Sequence, residues 1–382
     1  MNSQRVQPRV GLDCLALPNR PTGAGLYISL LAQSLLARTD RPFRLAVFCK
    51  PGHTHRFSQW LQPGDRLCPV PVLNRAHLLF TYEFLLPMLL VRHNIQLFHA
   101  THYLAPPVPP GMPLVLTVHD LGIFLYPENY PLAKRLYLRA RLPVFLQRAT
   151  SIVAISRTTA GHLAERFPRQ AARVRVVYHG TDHLPEKKIP AQRNAGKEPP
   201  FLLSVNAFEP RKNIPFLIQV FERLRLRYRM PHRLVLAGYA ANGLAEVEAC
   251  RKRSPLADDI QILVNPERER LLTLYHQADA FLSASRLEGF GFTPLEAVRC
   301  RLPVFLYANP AVRELFPPSP ALFPHLDADR WAEQIFRDWL NGFSHQPDPS
   351  FVQPLTWQRC ARETMQVYQQ CFSLQEVPAH VA

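Results

Sequence analysis

Between Ser283 and Val298 the chain reads SASRLEGFGFTPLEAV. Two carboxylates, Glu288 and Glu296, stand there with seven residues between them. Gly289 and Gly291 bracket Phe290, and backbone without Cβ atoms lets a ligand approach closely. Thr293 is placed to act as a helix N-cap, with Pro294 at the first helical position and Glu296 in the first turn. The N–H groups at such a start, those of Phe292 and Thr293, make an anion site suited to a diphosphate. One acid would then stand beside a sugar while the other accepts from ribose hydroxyls. The same residues admit a plainer arrangement. Thr293-Pro294-Leu295-Glu296 is also a capping box, in which Glu296 only satisfies a backbone N–H. Glu288 alone reads equally as a solvated loop acid, although Gly-Phe-Gly between two acids weights the segment toward ligand binding.

Three other places carry chemistry. Arg211 and Lys212 lie in EPRKN, just before a helical pattern that opens at Ile214. Two fixed cations in a strand-to-helix loop would neutralise a leaving diphosphate; otherwise they are solvated charges at a helix start. Gly23 and Gly25, in PTGAGLY, follow the first apolar strand and precede a helix. This G-x-G lacks the third glycine of a dinucleotide fingerprint. His119 ends the apolar run Leu114–Val118, at the strand edge where α/β proteins bind ligands, and Asp120 would either orient it or start a turn. Thr101-His102-Tyr103 also follows a strand and could line an acceptor pocket. Asp327-Ala328-Asp329 is a D-x-D element in a late, Pro-rich loop, away from any strand end. Metal independence is therefore expected.

Alternating apolar runs and helical patterns must position these residues. Strands are predicted at Val10–Leu17, Phe43–Phe48, Leu97–His99, Leu114–Val118, Ser151–Ala154 and Val174–Tyr178, with a helix at Leu26–Ala37. The polar stretch PEKKIPAQRNAGKEPP, residues 185–200, reads as a linker. The alternation then restarts: strands at Phe201–Val205, Leu234–Ala237, Ile260–Val264, Ala280–Ser283 and Pro303–Tyr307, with helices at Ile214–Arg229, Glu269–Gln277 and Pro294–Cys300. This order predicts an α/β protein with two Rossmann-like domains, 1–184 and 201–350, their parallel sheets facing each other across a cleft. A last helical pattern, Leu355 to Cys371, falls in a tail, 351–382, expected to cross back to the first domain.

The chain has 382 residues, 47% hydrophobic and 19% charged, with a formal net charge of +16. That length exceeds one ordinary core and that composition is globular. The charge suggests an anionic partner: a nucleotide, an anionic membrane surface or nucleic acid. Seven cysteines without a C-x-x-C pair argue against a zinc ribbon or a disulfide framework and fit a reducing cytosol. Met1 to Arg9 holds no apolar segment of the secretory kind. The longest apolar stretch, His77–Val91, is broken by Glu83 and Pro87 and is shorter than the ~20 residues a spanning helix needs. It reads as an ordinary interior helix, or as a segment that touches a membrane surface together with the basic charge.

The sequence resembles the retaining glycosyltransferases of family 4, which have the GT-B fold. The acid-flanked glycine loop resembles that family's E-x7-E region, and Glu209–Asn213 its P-R-K-N element. Leu271–Phe281, LLTLYHQADAF, resembles the helix before the glutamate loop, and Val177–Asp182, VYHGTD, its N-G-x-D turn with His179 in place of Asn. Val118–Leu121 resembles the H-D-L element and Pro21–Tyr27 the N-terminal glycine loop. The flavour is that of bacterial mannosyltransferases building surface polysaccharide or lipopolysaccharide.

The resemblance implies a hexose, mannose in the first instance, moved from a GDP- or UDP-linked donor to a glycan or lipid-linked acceptor. It assigns His119 and Glu288 to the reaction centre, with Asp120 secondary. Gly23, Gly25, Arg211, Lys212, Gly289, Phe290, Gly291, Phe292, Thr293 and Glu296 are assigned to the donor. It implies a cytoplasmic enzyme, peripheral at most on the inner membrane face, with no nucleic-acid partner. A nucleotide-sugar epimerase of the same fold, a basic nucleic-acid-binding protein and an inactive scaffold are the competing readings. One departure stands out: Arg301 occupies a turn where the family commonly has Gly, and an arginine does not adopt positive φ cheaply, so a rebuilt turn is expected there.

Overall fold

The computed structural model describes residues 7–184, 199–343 and 348–376. Most of the predicted linker, residues 185–198, lies outside them. The chain divides into two compact units. The first comprises Met1–Phe124, Leu132–Gly180 and Leu355–Ala382; the second comprises Leu125–Pro131 and Thr181–Pro354. The short excursion of 125–131 into the second unit has no signal in the sequence. Its anchor there is the Asn129 carbonyl, which accepts from Asn242 Nδ2 at 2.9 Å.

In the first unit the strands are β1 (Arg9–Asp13), β2 (Arg44–Cys49), β3 (Arg66–Pro69), β4 (Leu97–Ala100), β5 (Leu114–Val118), β6 (Ser151–Ala154) and β7 (Val174–Val176). Their order is β3-β2-β1-β4-β5-β6-β7, and every pairing is parallel. Runs such as LVLTV in β5 are buried along their whole length, as a sheet covered on both faces requires. β1 ends at Asp13, short of the predicted Leu17, because Asp13 turns the chain: its Oδ1 accepts the Leu15 N–H at 2.9 Å. β3, RLCP, was not foreseen. It is a short edge strand in a basic, Pro-flanked segment, where the apolar signal is thin.

In the second unit, β8 (Phe201–Val205), β9 (Arg233–Gly238), β10 (Ile260–Val264), β11 (Ala280–Ser283), β12 (Val304–Tyr307) and β13 (Leu322–Phe323) form a second parallel sheet. Its order is β10-β9-β8-β11-β12-β13. Two residues of β13 were too few to read in advance. Helices Ile214–Leu226 and Ala328–Leu340 cover one face, packing Phe216, Leu217, Phe221, Trp331 and Ile335 into a continuous core.

The last helix, Trp357–Glu376, belongs to the first unit. Its Tyr368 hydroxyl bonds His99 Nδ1 at 2.7 Å, and His99 Nε2 meets Thr117 Oγ1 at 2.8 Å. The segment His77–Val91 is not an interior helix throughout. Residues 75–92 are helical, with one π-helical turn at Thr81–Leu85. Tyr82, Leu86 and Leu90 point into the core, whereas Phe80, Phe84, Met88 and Val91 are exposed. No described helix is long and apolar enough to cross a membrane.

Candidate active site

In the second unit the chemistry gathers at the carboxyl ends of β8 and β11, where open α/β sheets bind ligands. After β8, Pro210–Lys212 forms a 3-10 turn that ends at Asn213 with φ 52° and ψ 41°. Asn is one of the few non-glycine residues that tolerates this left-handed region, and the helix Ile214–Leu226 starts directly from it. The turn delivers Lys212 into the interior, where its Nζ lies 2.6 Å from Glu288 Oε1. Arg211 Nη1 lies 3.8 Å from the other oxygen of Glu288 and donates to the Leu287 carbonyl at 2.8 Å. Arg211 Nε also pairs with Glu209 Oε2 at 2.6 Å. Burial alone would raise the Glu288 carboxyl. Lys212 and Arg211 outweigh it and hold Glu288 below the usual glutamate range. Burial lowers the Lys212 ammonium, against the opposing pull of Glu288. The acid and the cations predicted for sugar and diphosphate are thus one mutually neutralising cluster.

The loop after Glu288 differs from the predicted cap. Gly291, not Thr293, is the N-cap, with φ 85° and ψ 53°, and the helix runs Phe292–Arg299. A Cβ-bearing residue would be strained at that φ, which explains the second glycine of Gly-Phe-Gly. Thr293 makes no capping bond and Pro294 is the third helical residue. The helix begins two residues early because the glycine, free to be left-handed, caps it without a side chain. Glu296 consequently sits in the second turn and is not the acid of a capping box. Its Oε1 is bonded to His183 Nε2 at 2.8 Å and its Oε2 accepts from the Tyr275 hydroxyl at 2.8 Å. Burial raises this carboxyl too, but His183 and Tyr275 bring it below its ordinary value. Gly289, Phe290 and Gly291 are buried, and the Phe290 and Phe292 rings meet edge-on at 5.5 Å.

Arg301 corrects a further expectation. The turn after this helix is not rebuilt: Arg301 takes φ 53° itself. Leu302 N donates to Ala297 O at 2.9 Å and Arg301 N to Val298 O at 2.8 Å. This is the Schellman pattern that glycine usually completes.

In the first unit, Gly23 caps the helix Ala24–Ala37 with φ 48°. A Cβ on Gly25 would fall 2.7 Å from Pro18 Cδ, so the second glycine is required by packing. His119, at the end of β5, is 8% exposed. Its Nε2 bonds the Thr101 carbonyl at 3.0 Å. Burial lowers its pKa, so the ring is neutral at pH 7 and Nε2 carries the proton. Asp120 does not orient it: Asp120 Oδ1 accepts the Gly122 N–H at 2.8 Å, the bond of a turn-starting Asp. The Tyr27 ring lies edge-on to His119 at 5.0 Å and stacks on His179 at 4.5 Å, while Trp357 stacks on His179 at 5.9 Å and is tilted against Tyr27 at 6.3 Å. His102 lies 5.8 Å from His119, ring to ring.

Several residues were missed by the sequence reading. His183 and Tyr275 clasp Glu296. Tyr275 lies inside the quoted LLTLYHQADAF, and His183 directly follows VYHGTD, but nothing in either stretch points at a carboxylate. Asn309 donates from Nδ2 to Ser285 O at 2.8 Å and caps the helix Pro310–Leu315, so it ties the glutamate loop to the end of β12. Asp13 is fully buried. Its Oδ2 accepts from the Tyr82 hydroxyl at 2.5 Å, and burial pushes its carboxyl up to about 6. Among the described residues no group of three or more His, Cys, Asp or Glu side chains is gathered to hold a metal ion.

Comparison with known proteins decides the family. The model of Glycosyltransferase Family 4 matches residues 21–183, and that of Glycosyl transferases group 1 matches residues 185–342. The chain belongs to glycosyltransferase family 4. It is a glycosyltransferase, and the epimerase reading falls away with that finding. It is 25% identical over 264 residues to O-antigen chain mannosyltransferase B of Escherichia coli, covering 66% of this chain and 69% of that protein. It is 26% identical over 235 residues to GDP-mannose:cellobiosyl-diphosphopolyprenol alpha-mannosyltransferase of Xanthomonas oryzae, covering 58% of this chain and 56% of that one. Among solved structures, sucrose-phosphate synthase from Thermosynechococcus elongatus superposes with a TM-score of 0.75 at 20% identity, over 96% of this chain and 100% of the other. The family 4 glycosyltransferase therefore carries the GT-B fold.

Proposed function

We propose that this glycosyltransferase moves mannose, with retention, from GDP-mannose to a glycan or lipid-linked acceptor in surface polysaccharide or lipopolysaccharide synthesis. The observation that carries the reading is the buried cluster of Lys212, Arg211 and Glu288, set beside a glycine-capped helix start. A nucleoside diphosphate leaving group needs positive charge and N–H donors where its charge develops. Arg211, Lys212 and the first turn of the helix Phe292–Arg299 supply both. As the diphosphate engages the cations, Glu288 is freed to interact with sugar hydroxyls and with positive character at the anomeric carbon. Glu296, held rigidly by His183 and Tyr275, retains lone pairs for ribose hydroxyls. His119, donating from Nε2 to Thr101, leaves Nδ1 as the acceptor assigned to the reaction. The leaving phosphate accepts the acceptor's proton, so no separate base is assigned.

Support for mannose and for GDP comes from the relatives: both of those quoted are mannosyltransferases, and the Xanthomonas name specifies GDP-mannose. A UDP-linked hexose is the alternative donor. Because fixed cations meet the diphosphate, the reaction is proposed to run without a metal ion, at undiminished rate in EDTA. The charge of +16 is assigned to these anions and to a membrane surface, not to nucleic acid.

The test is a panel of nucleotide sugars screened by thermal stabilisation, followed by transfer assays with the hits. GDP-mannose should raise Tm most. Glu288→Gln should then lower turnover by about 10²–10³-fold, the range for losing one electrostatic contact to the transition state. Donor affinity in that variant should change little. Native turnover in it would remove Glu288 from the reaction centre.

A further inference from the structure

The outward side of residues 75–92 carries none of the residues assigned to the donor or the reaction centre, and its composition is unusual for an exposed surface. Phe80 is 55% exposed, Phe84 62%, Met88 69% and Val91 63%. They follow one another at helical spacing along one stripe, with the Phe80 and Phe84 rings 5.1 Å apart. Tyr82, Leu86 and Leu90 satisfy the core from the opposite side, so the stripe is not a misplaced core face. The helix Leu132–Arg148 lies alongside: Arg141 is ion-paired with Glu83, the single acid of residues 75–92. That helix carries five cations and no acid, and it exposes Leu132 and Leu136 by about three-fifths (59% and 60%).

We propose that this face, the Phe80-Phe84-Met88-Val91 stripe with the basic helix beside it, docks the enzyme on an anionic lipid surface. Aromatic and aliphatic side chains between cations are the composition of helices that lie in a bilayer interface. The length of the apolar segment suits lying on a bilayer and not crossing it. Charge separates this occupant from a second copy of the chain. Two such faces brought together would set eight like charges against each other, four from each basic helix besides the Glu83-paired Arg141, whereas anionic headgroups neutralise them. An acidic protein partner would meet the charges but not the four-residue apolar stripe in a row.

The experiment is co-sedimentation of the full chain with vesicles of phosphatidylglycerol and phosphatidylcholine, against phosphatidylcholine alone, at low and high salt. The protein should pellet with the anionic vesicles and be released by salt. Phe80→Ser with Phe84→Ser should weaken vesicle partitioning by at least about tenfold. Leu340→Ser, at an exposed leucine of the second unit, should leave it unchanged. Both variants alter exposed side chains, and an unchanged melting temperature verifies their folding. Equal pelleting with both vesicle types, native partitioning of the double serine variant, or a dimer that this variant dissociates would each overturn the proposal. None of these readouts depends on turnover, so the donor assignment stands or falls separately.

Discussion

Breaking the Lys212–Glu288 pair should destabilise the second unit strongly, and removing both members should cost less than the two losses added. At an effective dielectric of about 20, charges 2.6 Å apart attract by about 6 kcal/mol, and charges 3.8 Å apart by about 4 kcal/mol. Most of this is cancelled by the desolvation of two buried ions. What remains visible is the penalty for a lone buried charge, about 3–5 kcal/mol. Lys212→Met leaves Glu288 with Arg211, so the loss should lie at the lower end, about 3 kcal/mol. Glu288→Gln leaves Lys212 buried, and burial already lowers its pKa. The double variant places two neutral, roughly isosteric groups in contact, so a coupling energy of about 2 kcal/mol is expected. Urea unfolding of the four proteins at pH 7 measures it. Acid should act in the same direction as Lys212→Met. Glu288 has a lowered folded pKa, so its contribution is present above the ordinary glutamate range and is lost as pH falls through the folded value. Additivity within about 0.5 kcal/mol would refute the pairing, because unlinked sites add to that precision.

Asp13 should behave in the opposite sense. Its folded carboxyl is raised to about 6 from an ordinary 3.8, so the folded state binds the extra proton. The contribution of Asp13 to stability should therefore rise as pH falls from about 6 toward 4, and Asp13→Asn should remove that contribution and add about 1–3 kcal/mol at pH 8; a variant whose melt series keeps the parent's pH dependence would contradict this. Arg301→Gly should raise the urea midpoint by about 1 kcal/mol equivalent, since φ 53° costs arginine what it does not cost glycine. Tyr275→Phe removes one of the two bonds orienting Glu296; donor KM should rise about three- to tenfold with kcat nearly unchanged. A nucleotide lacking ribose hydroxyls should bind both forms equally.

Much of the scaffold was legible because buried parallel strands are continuous apolar runs. FLLSV at β8, LVLAG within β9 and LVLTV at β5 announce themselves, and the alternation with helices then dictates parallel pairing. The misses are those where local composition carries little information. The edge strand RLCP is exposed at half its positions, and LF at β13 is two residues long. The apolar run His77–Val91 did read as a helix. It could not show that Tyr82 turns inward and Phe84 outward, since both faces carry large apolar residues.

Residue identity and chain order alone determined the acids at 288 and 296, the cations at 211 and 212, and the glycines at 23, 25, 289 and 291. They also determined the family through the order of these elements, because side-chain chemistry and φ freedom are properties of single residues. Only the tertiary structure decided the partnerships: Lys212 on Glu288, His183 and Tyr275 on Glu296, and Thr101 on His119. It also decided that Arg301 accepts a glycine's conformation. Such contacts join residues up to 113 positions apart, and proximity across that distance is created by the packing of the sheet, not by any local pattern.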